Sequence, residues 1–137
     1  MADMWAILRF FFSFRGRIGR LQFFYGILFW AVVLTVTFTV HLNSVWFSFS
    51  PSTLIVLVAA VSCTALQVKR FHDRNRTGWR VSIFCILFVA SAIFHPLFVG
   101  LLAVSIEHMV ELLIMAGTKG PNHYGPARKP PPEPVPA

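Results

Sequence analysis

The chain has 137 residues, 56% of them hydrophobic and only 12% charged, against roughly 25% charged in soluble domains. A water-soluble domain of this size would leave too much of that apolar surface exposed, so composition argues against an ordinary soluble globule and for one solvated by lipid. The net charge is +7, but the cations sit in short runs beside apolar stretches, which fits anionic headgroups better than nucleic acid.

The first segment, residues 4–14, reads MWAILRFFFSF. Trp5, Leu8, Phe11 and Phe12 share a helical face. The segment is too short to span a bilayer and Arg9 interrupts it, so the expectation is a helix lying in the interface, with Trp5 at headgroup depth. A flexible apolar leader is the alternative. Arg15, Arg17 and Arg20 follow, around Gly16 and Gly19.

Residues 21–42 hold no Asp, Glu, Lys or Arg over a length close to the ~20 residues a bilayer requires. They are the first predicted span. Thr35, Thr37 and Thr39 can bond to carbonyls of their own helix, so they do not oppose it. The stretch exceeds the length of a signal-peptide core and has no A-x-A-like site after it, so it reads as a retained anchor. Trp46, Phe47 and Phe49 resemble an interfacial aromatic belt, and Pro51 a turn. Residues 51–68 are the second predicted span. Residues 69–80, KRFHDRNRTGWR, read as a basic loop with Gly78 as a breaker.

Residues 81–116 would make one helix ~54 Å long, at ~1.5 Å per residue, against a hydrocarbon core of ~30 Å. His95-Pro96 lies near the middle, and proline disfavours helix both at itself and at the residue before it. The stretch is therefore divided into spans 81–94 and 97–116, the first of them short, with a half-depth re-entrant limb as its alternative. Two hairpins then place all 12 Lys and Arg residues on one side, the cytoplasmic side by the positive-inside rule. Both termini are expected there. With three crossings, Lys119, Arg128 and Lys129 would be translocated. Residues 127–137 close the chain as a Pro-rich tail with no apolar face to bury, expected to be disordered. Cys63 and Cys85 lie in apolar stretches, without metal-ligand spacing, and read as packing residues.

Three segments together carry a family resemblance. They are Phe12-Ser13-Phe14-Arg15-Gly16-Arg17-Ile18-Gly19-Arg20 with Phe23-Phe24-Tyr25, then residues 69–79, KRFHDRNRTGW, then residues 117–126, GTKGPNHYGP. In this order, separated by apolar spans, they resemble the domain-of-unknown-function family 805. Phe71, Thr77 and Arg80 stand where that family usually has Leu, Ser and Trp. His123 and Ala127 stand where it commonly has a basic and an acidic residue. The resemblance implies a small bacterial inner-membrane protein and carries no assigned activity.

Four groups of residues could carry chemistry. His72 and Asp73 are adjacent, but a metal needs three or four converging ligands, and the surrounding cations would repel one. They are expected to order the loop together with Gly78, Trp79 and Tyr124, with Asp73 pairing Arg70, Arg74 or Arg76 or capping the helix that follows. Arg15, Arg17 and Arg20 could face Lys69, Arg70, Arg74 and Arg76 across one leaflet as a two-sided cradle for a lipid phosphate, because arginine forks match phosphate and glycine lets backbone donors approach. Simple topological anchoring is the competing role. Glu107 and Glu111, four apart on one helical face, are ionisable groups inside a predicted span. Such groups point to proton coupling unless they pair with Arg70, Arg80 or Gln67. No serine stands in a nucleophile motif.

The expected architecture is thus an all-α integral membrane protein. A basic N-terminal segment, residues 1–20, contains the interfacial helix. About four transmembrane helices in two hairpins fill residues 21–116, and an ordered turn motif, residues 117–126, precedes the tail. That motif is expected to fold back on the basic loop, with Gly117 ending the last helix and Tyr124 packing on Trp79 or Phe71. The expected function is a non-enzymatic membrane module, without cofactor, metal or nucleic acid, binding anionic lipid or a membrane partner. A homo-oligomer is left open. The alternative is a small transporter or channel subunit using Glu107 and Glu111.

Overall fold

The structure is a computed structural model that describes residues 2–42, 51–94 and 97–127. Five α-helices follow one another among them: α1 (Ala2–Phe12), α2 (Arg20–Leu42), α3 (Pro51–Asp73), α4 (Trp79–Ile93) and α5 (Leu97–Met109). The last runs on as one wide π turn, Val110–Ile114. No strand occurs among the described residues; a single bridge joins Asn122 to Gly125.

Helices α2 and α3 are each 23 residues long and pack against each other. Both are long and apolar enough to cross a membrane. Their outward faces are apolar as well, with Leu21, Val32, Val36 and Phe38 on α2 and Leu54, Leu57 and Val61 on α3 exposed. The threonines of α2 satisfy themselves internally: the hydroxyls of Thr35, Thr37 and Thr39 donate to the carbonyls of Ala31, Val33 and Thr35, each at 2.8 Å. Close approach of α2 to α3 depends on Gly26, because a Cβ there would sit 2.8 Å from Leu66 Cδ1.

Helix α1 packs on α3 rather than lying free. Phe10 and Phe11 join the core formed by Ile18, Phe23, Trp30, Leu66 and Phe71, while Trp5, Leu8 and Phe12 face outward. The face expected from periodicity is therefore split, with Phe11 turned inward. Ser62 ties the three helices together. Its hydroxyl accepts from Trp30 Nε1 at 2.8 Å and donates to the Phe11 carbonyl at 3.0 Å.

Several boundaries differ from expectation. The second predicted span, α3, does not stop at Val68; it continues through the basic residues to Asp73, since Arg70, Phe71 and Asp73 are all buried against the rest of the molecule. The link to α4 shrinks to residues 74–78. Its left-handed residue is Asn75, with φ 57°. Gly78 has ordinary φ and matters for room instead, because a Cβ there would lie 2.7 Å from Val68 Cγ1. Helices α4 and α5 pack side by side, and His95-Pro96, the predicted break, lies outside the described residues. Gly117 does not end the last helix. The π turn does, with Met115 extended and its N–H bonded to the Val110 carbonyl at 3.2 Å. Cys63 packs beside the core, whereas Cys85 is exposed and not the packing residue expected. The aromatic run 46–49 and residues 128–137 also fall outside the described residues.

Candidate functional site

The polar chemistry gathers at one end of the bundle, around the last turn of α3. Asp73 is fully buried there. It forms ion pairs with Arg70, one turn earlier on the same helix, and with Arg17 from the α1–α2 link, whose Nε lies 3.3 Å from Oδ1. Two cations on one buried carboxylate would be costly if their remaining N–H groups had no partners. Arg70 donates from Nε to the Leu112 carbonyl at 2.8 Å and from Nη2 to the Met115 carbonyl. These acceptors lie in and just after the π turn, so the wide turn and the guanidinium are matched to each other.

Arg17 organises residues 118–126. Its Nη2 donates to the carbonyl and hydroxyl of Thr118 at 2.7 and 2.8 Å. Its Nη1 reaches the carbonyls of Gly120 at 2.9 Å and Pro126 at 3.0 Å. The Thr118 hydroxyl accepts from Asn122 Nδ2 as well and donates to the Asp73 carbonyl at 2.9 Å, so its hydrogen-bonding capacity is filled. Asn122 Nδ2 also donates to the His72 carbonyl at 2.8 Å, and Asn122 Oδ1 accepts from the Tyr124 N–H at 2.9 Å. Residues 117–126 thus dock on the end of α3. Tyr124 stacks on His72 with ring centroids 3.9 Å apart and planes 5° from parallel. This replaces the expected packing on Trp79 or Phe71; Trp79 is exposed.

A second charge cluster lies where α4 and α5 meet this end. Glu111, buried, forms ion pairs with Arg74 at 2.6 Å, Arg76 at 3.0 Å and Arg80 at 3.2 Å. Glu107 is about half exposed and pairs with Arg80. The Arg80 guanidinium also lies over the Phe71 ring, 5.8 Å from its centroid. Among the described residues no group of three or more His, Cys, Asp or Glu converges as a metal site.

Of the seven basic residues expected to form a cradle, five are turned onto the protein itself. Arg17, Arg70, Arg74 and Arg76 make the bonds above. Lys69 is buried, with Nζ directed at the carbonyl of Phe10 and 5.3 Å from the Phe10 ring centroid. Arg15 and Arg20 are exposed. Arg20 spends Nη1 on the Ile114 carbonyl at 3.0 Å, keeping the rest of its fork outward. It borders a cleft of about 810 Å³ lined by Arg17, Gln22, Thr118 and Lys119 as well. Among the described residues no carboxylate lines this cleft. Sequence reasoning missed Lys119, Gln22 and Thr118 as cleft residues. The paired Gly-Pro signals flanking Asn122-His123-Tyr124 located the turn motif but did not reveal which of its side chains would face Arg20.

The family described as Protein of unknown function (DUF805) matches residues 11–126. No curated protein and no solved structure matches the chain.

Proposed function

The chain belongs to the DUF805 family, and from that premise we propose that it is a non-enzymatic inner-membrane module that holds an anionic lipid headgroup in the cleft between Arg20 and Lys119. The helices α2 and α3, with the α4–α5 pair as a second hairpin, cross the bilayer and keep both termini cytoplasmic. The one-sided placement of Lys and Arg supports this orientation.

The observation that carries the reading is the cleft itself. It combines the outward side of the Arg20 fork, the Lys119 ammonium and the Gln22 carboxamide, with no acidic residue in its walls among the described residues. A guanidinium already steadied by one protein carbonyl presents a planar donor pair suited to phosphate oxygens. Arg17 lines the cleft but is committed to Asp73 and residues 118–126, so it is a fixed wall rather than the ligand-binding fork. Glu107 and Glu111 each meet arginine, which favours a fixed-charge role for them over proton carriage.

The test is native mass spectrometry of the purified protein with phosphatidylglycerol or phosphatidylcholine. Retention of phosphatidylglycerol should exceed that of the zwitterionic lipid. The double variant Arg20→Gln, Lys119→Gln should lose that preference, at about 1 kcal/mol per charge near the surface. Equal retention by the variant overturns the reading.

A further inference from the structure

The side chains that line the cleft between Arg20 and Lys119 differ sharply in what they still offer a ligand. Arg20, Gln22 and Lys119 are exposed and line it. Arg20 gives Nη1 to the Ile114 carbonyl. Neither Arg20 nor Lys119 forms an ion pair among the described residues. The third cation of the wall, Arg17, is paired with Asp73, and Asp73 is shared with Arg70. The side-chain acceptors are occupied. Gln22 Oε1 accepts from the Gly19 N–H at 3.0 Å, which leaves Nε2 as the donor end of that side chain. The Thr118 hydroxyl accepts from Arg17 and Asn122 and donates to the Asp73 carbonyl. The wall is therefore rich in donors and poor in side-chain acceptors. Leu21, 71% exposed, adds an apolar lip.

These properties sort the headgroups. A phosphodiester such as phosphatidylglycerol brings a single negative charge, together with hydroxyls that seek acceptors. An ethanolamine or choline headgroup brings a cation that Arg20 and Lys119 repel. A phosphate monoester carries close to two negative charges at neutral pH and presents three strong acceptor oxygens. It matches the two cations in charge and the wall in donors. We propose that the group held here is a phosphate monoester dianion, carried by a lipid of the phosphatidic acid type. The apolar lip at Leu21 suits acyl chains better than a soluble sugar phosphate. This inference rests on the reading of the cleft as a headgroup site and narrows it to one class of headgroup.

The experiment offers the purified full chain equimolar phosphatidic acid and phosphatidylglycerol with identical acyl chains and reads retention by native mass spectrometry. At about pH 8, phosphatidic acid should be retained roughly fivefold over phosphatidylglycerol, the scale of one further charge near the surface. At about pH 5, below the second ionisation of a monoester near pH 6, the ratio should fall toward one. The charged residues of the lining are Arg17, Arg20 and Lys119, with no histidine or carboxylate among the described ones, so this change with pH reports on the ligand. Gln22→Glu keeps an acceptor for the Gly19 N–H and suits the first turn of a helix, so the fold should hold. It replaces a donor with a negative charge and should abolish the preference. Equal retention of the two lipids at about pH 8, or a preference that survives Gln22→Glu, overturns the monoester assignment. The headgroup reading then still stands if phosphatidylglycerol outlasts phosphatidylcholine, and both fall if neither anionic lipid does. Glycerol 3-phosphate carries the same monoester without acyl chains. Binding of it as tight as that of phosphatidic acid would assign the site to a soluble monoester and overturn the lipid source.

Discussion

Arg17 and Asp73 stand 56 residues apart in sequence and meet at 3.3 Å, with both side chains closed to solvent. The contact joins the α1–α2 link to the end of α3, and through the other arm of the guanidinium it secures residues 118–126. Removing one partner of a buried pair leaves an uncompensated charge.

Arg17→Gln is accordingly expected to destabilise the fold by about 3–5 kcal/mol. Arg17→Lys should recover little, because an ammonium cannot reproduce the planar fork. Limited trypsin digestion reads the effect locally. Cleavage at Lys119 should be slow in the parent protein and much faster in both variants. Unchanged cleavage would show that residues 118–126 are held some other way.

The two glutamates of α5 and its π turn should respond unequally. Glu111 is buried among three arginines, so Glu111→Gln should cost about 3–5 kcal/mol. Glu107 is half exposed and pairs with Arg80, and solvent screening limits Glu107→Gln to about 1 kcal/mol or less. Thermal unfolding of the two variants in detergent gives the ranking. An equal loss would contradict the difference in burial.

The Ser62 junction allows a double-mutant cycle. Trp30→Phe removes the indole donor and Ser62→Ala its acceptor. Each change alone should cost about 1 kcal/mol, with Ser62→Ala the larger because it also leaves the indole N–H buried and unpaired. The double variant should cost less than the sum. Strict additivity would mean that the bond contributes nothing to joining α2 and α3.

Gly26→Ala should be destabilising by about 1–3 kcal/mol, since the new methyl collides with Leu66. Leu66→Val in the same chain should recover part of the loss by withdrawing the Cδ atoms. If the double variant is no better than the sum of its parts, the collision lies elsewhere.

Apolar content made the α2 and α3 helices legible, because a long uncharged stretch has few other folds available. The boundaries were less so. Lys69, Arg70 and Asp73 look like loop residues by charge, yet they continue α3. Their cost of burial is met by partners as distant as Arg17 and Met115, and local composition carries no trace of those partners. The same blindness hid which arginines were available. Arg17 and Arg20 look equivalent in sequence, but one is buried and the other exposed. The docking of residues 117–126 was legible from its Gly-Pro punctuation, but its anchor on His72 was not, because the chain's return direction depends on the π turn. Nothing in the residues 110–114, VELLI, distinguishes that turn from ordinary helix.

The bonds that Arg17 makes reach forward 101 residues to Thr118 and 109 to Pro126. A ribosome releases the chain from its N-terminus, so Arg17 enters the cell long before most of its acceptors exist. Until α3 is made it has not met Asp73, and until residues 118–126 emerge it keeps its outer N–H groups in water. The knot therefore closes last, on the final described segment to be synthesised. A nascent chain stalled before Thr118 would carry all five helices but present an open end, and completion of that segment would mark the transition to a locked bundle.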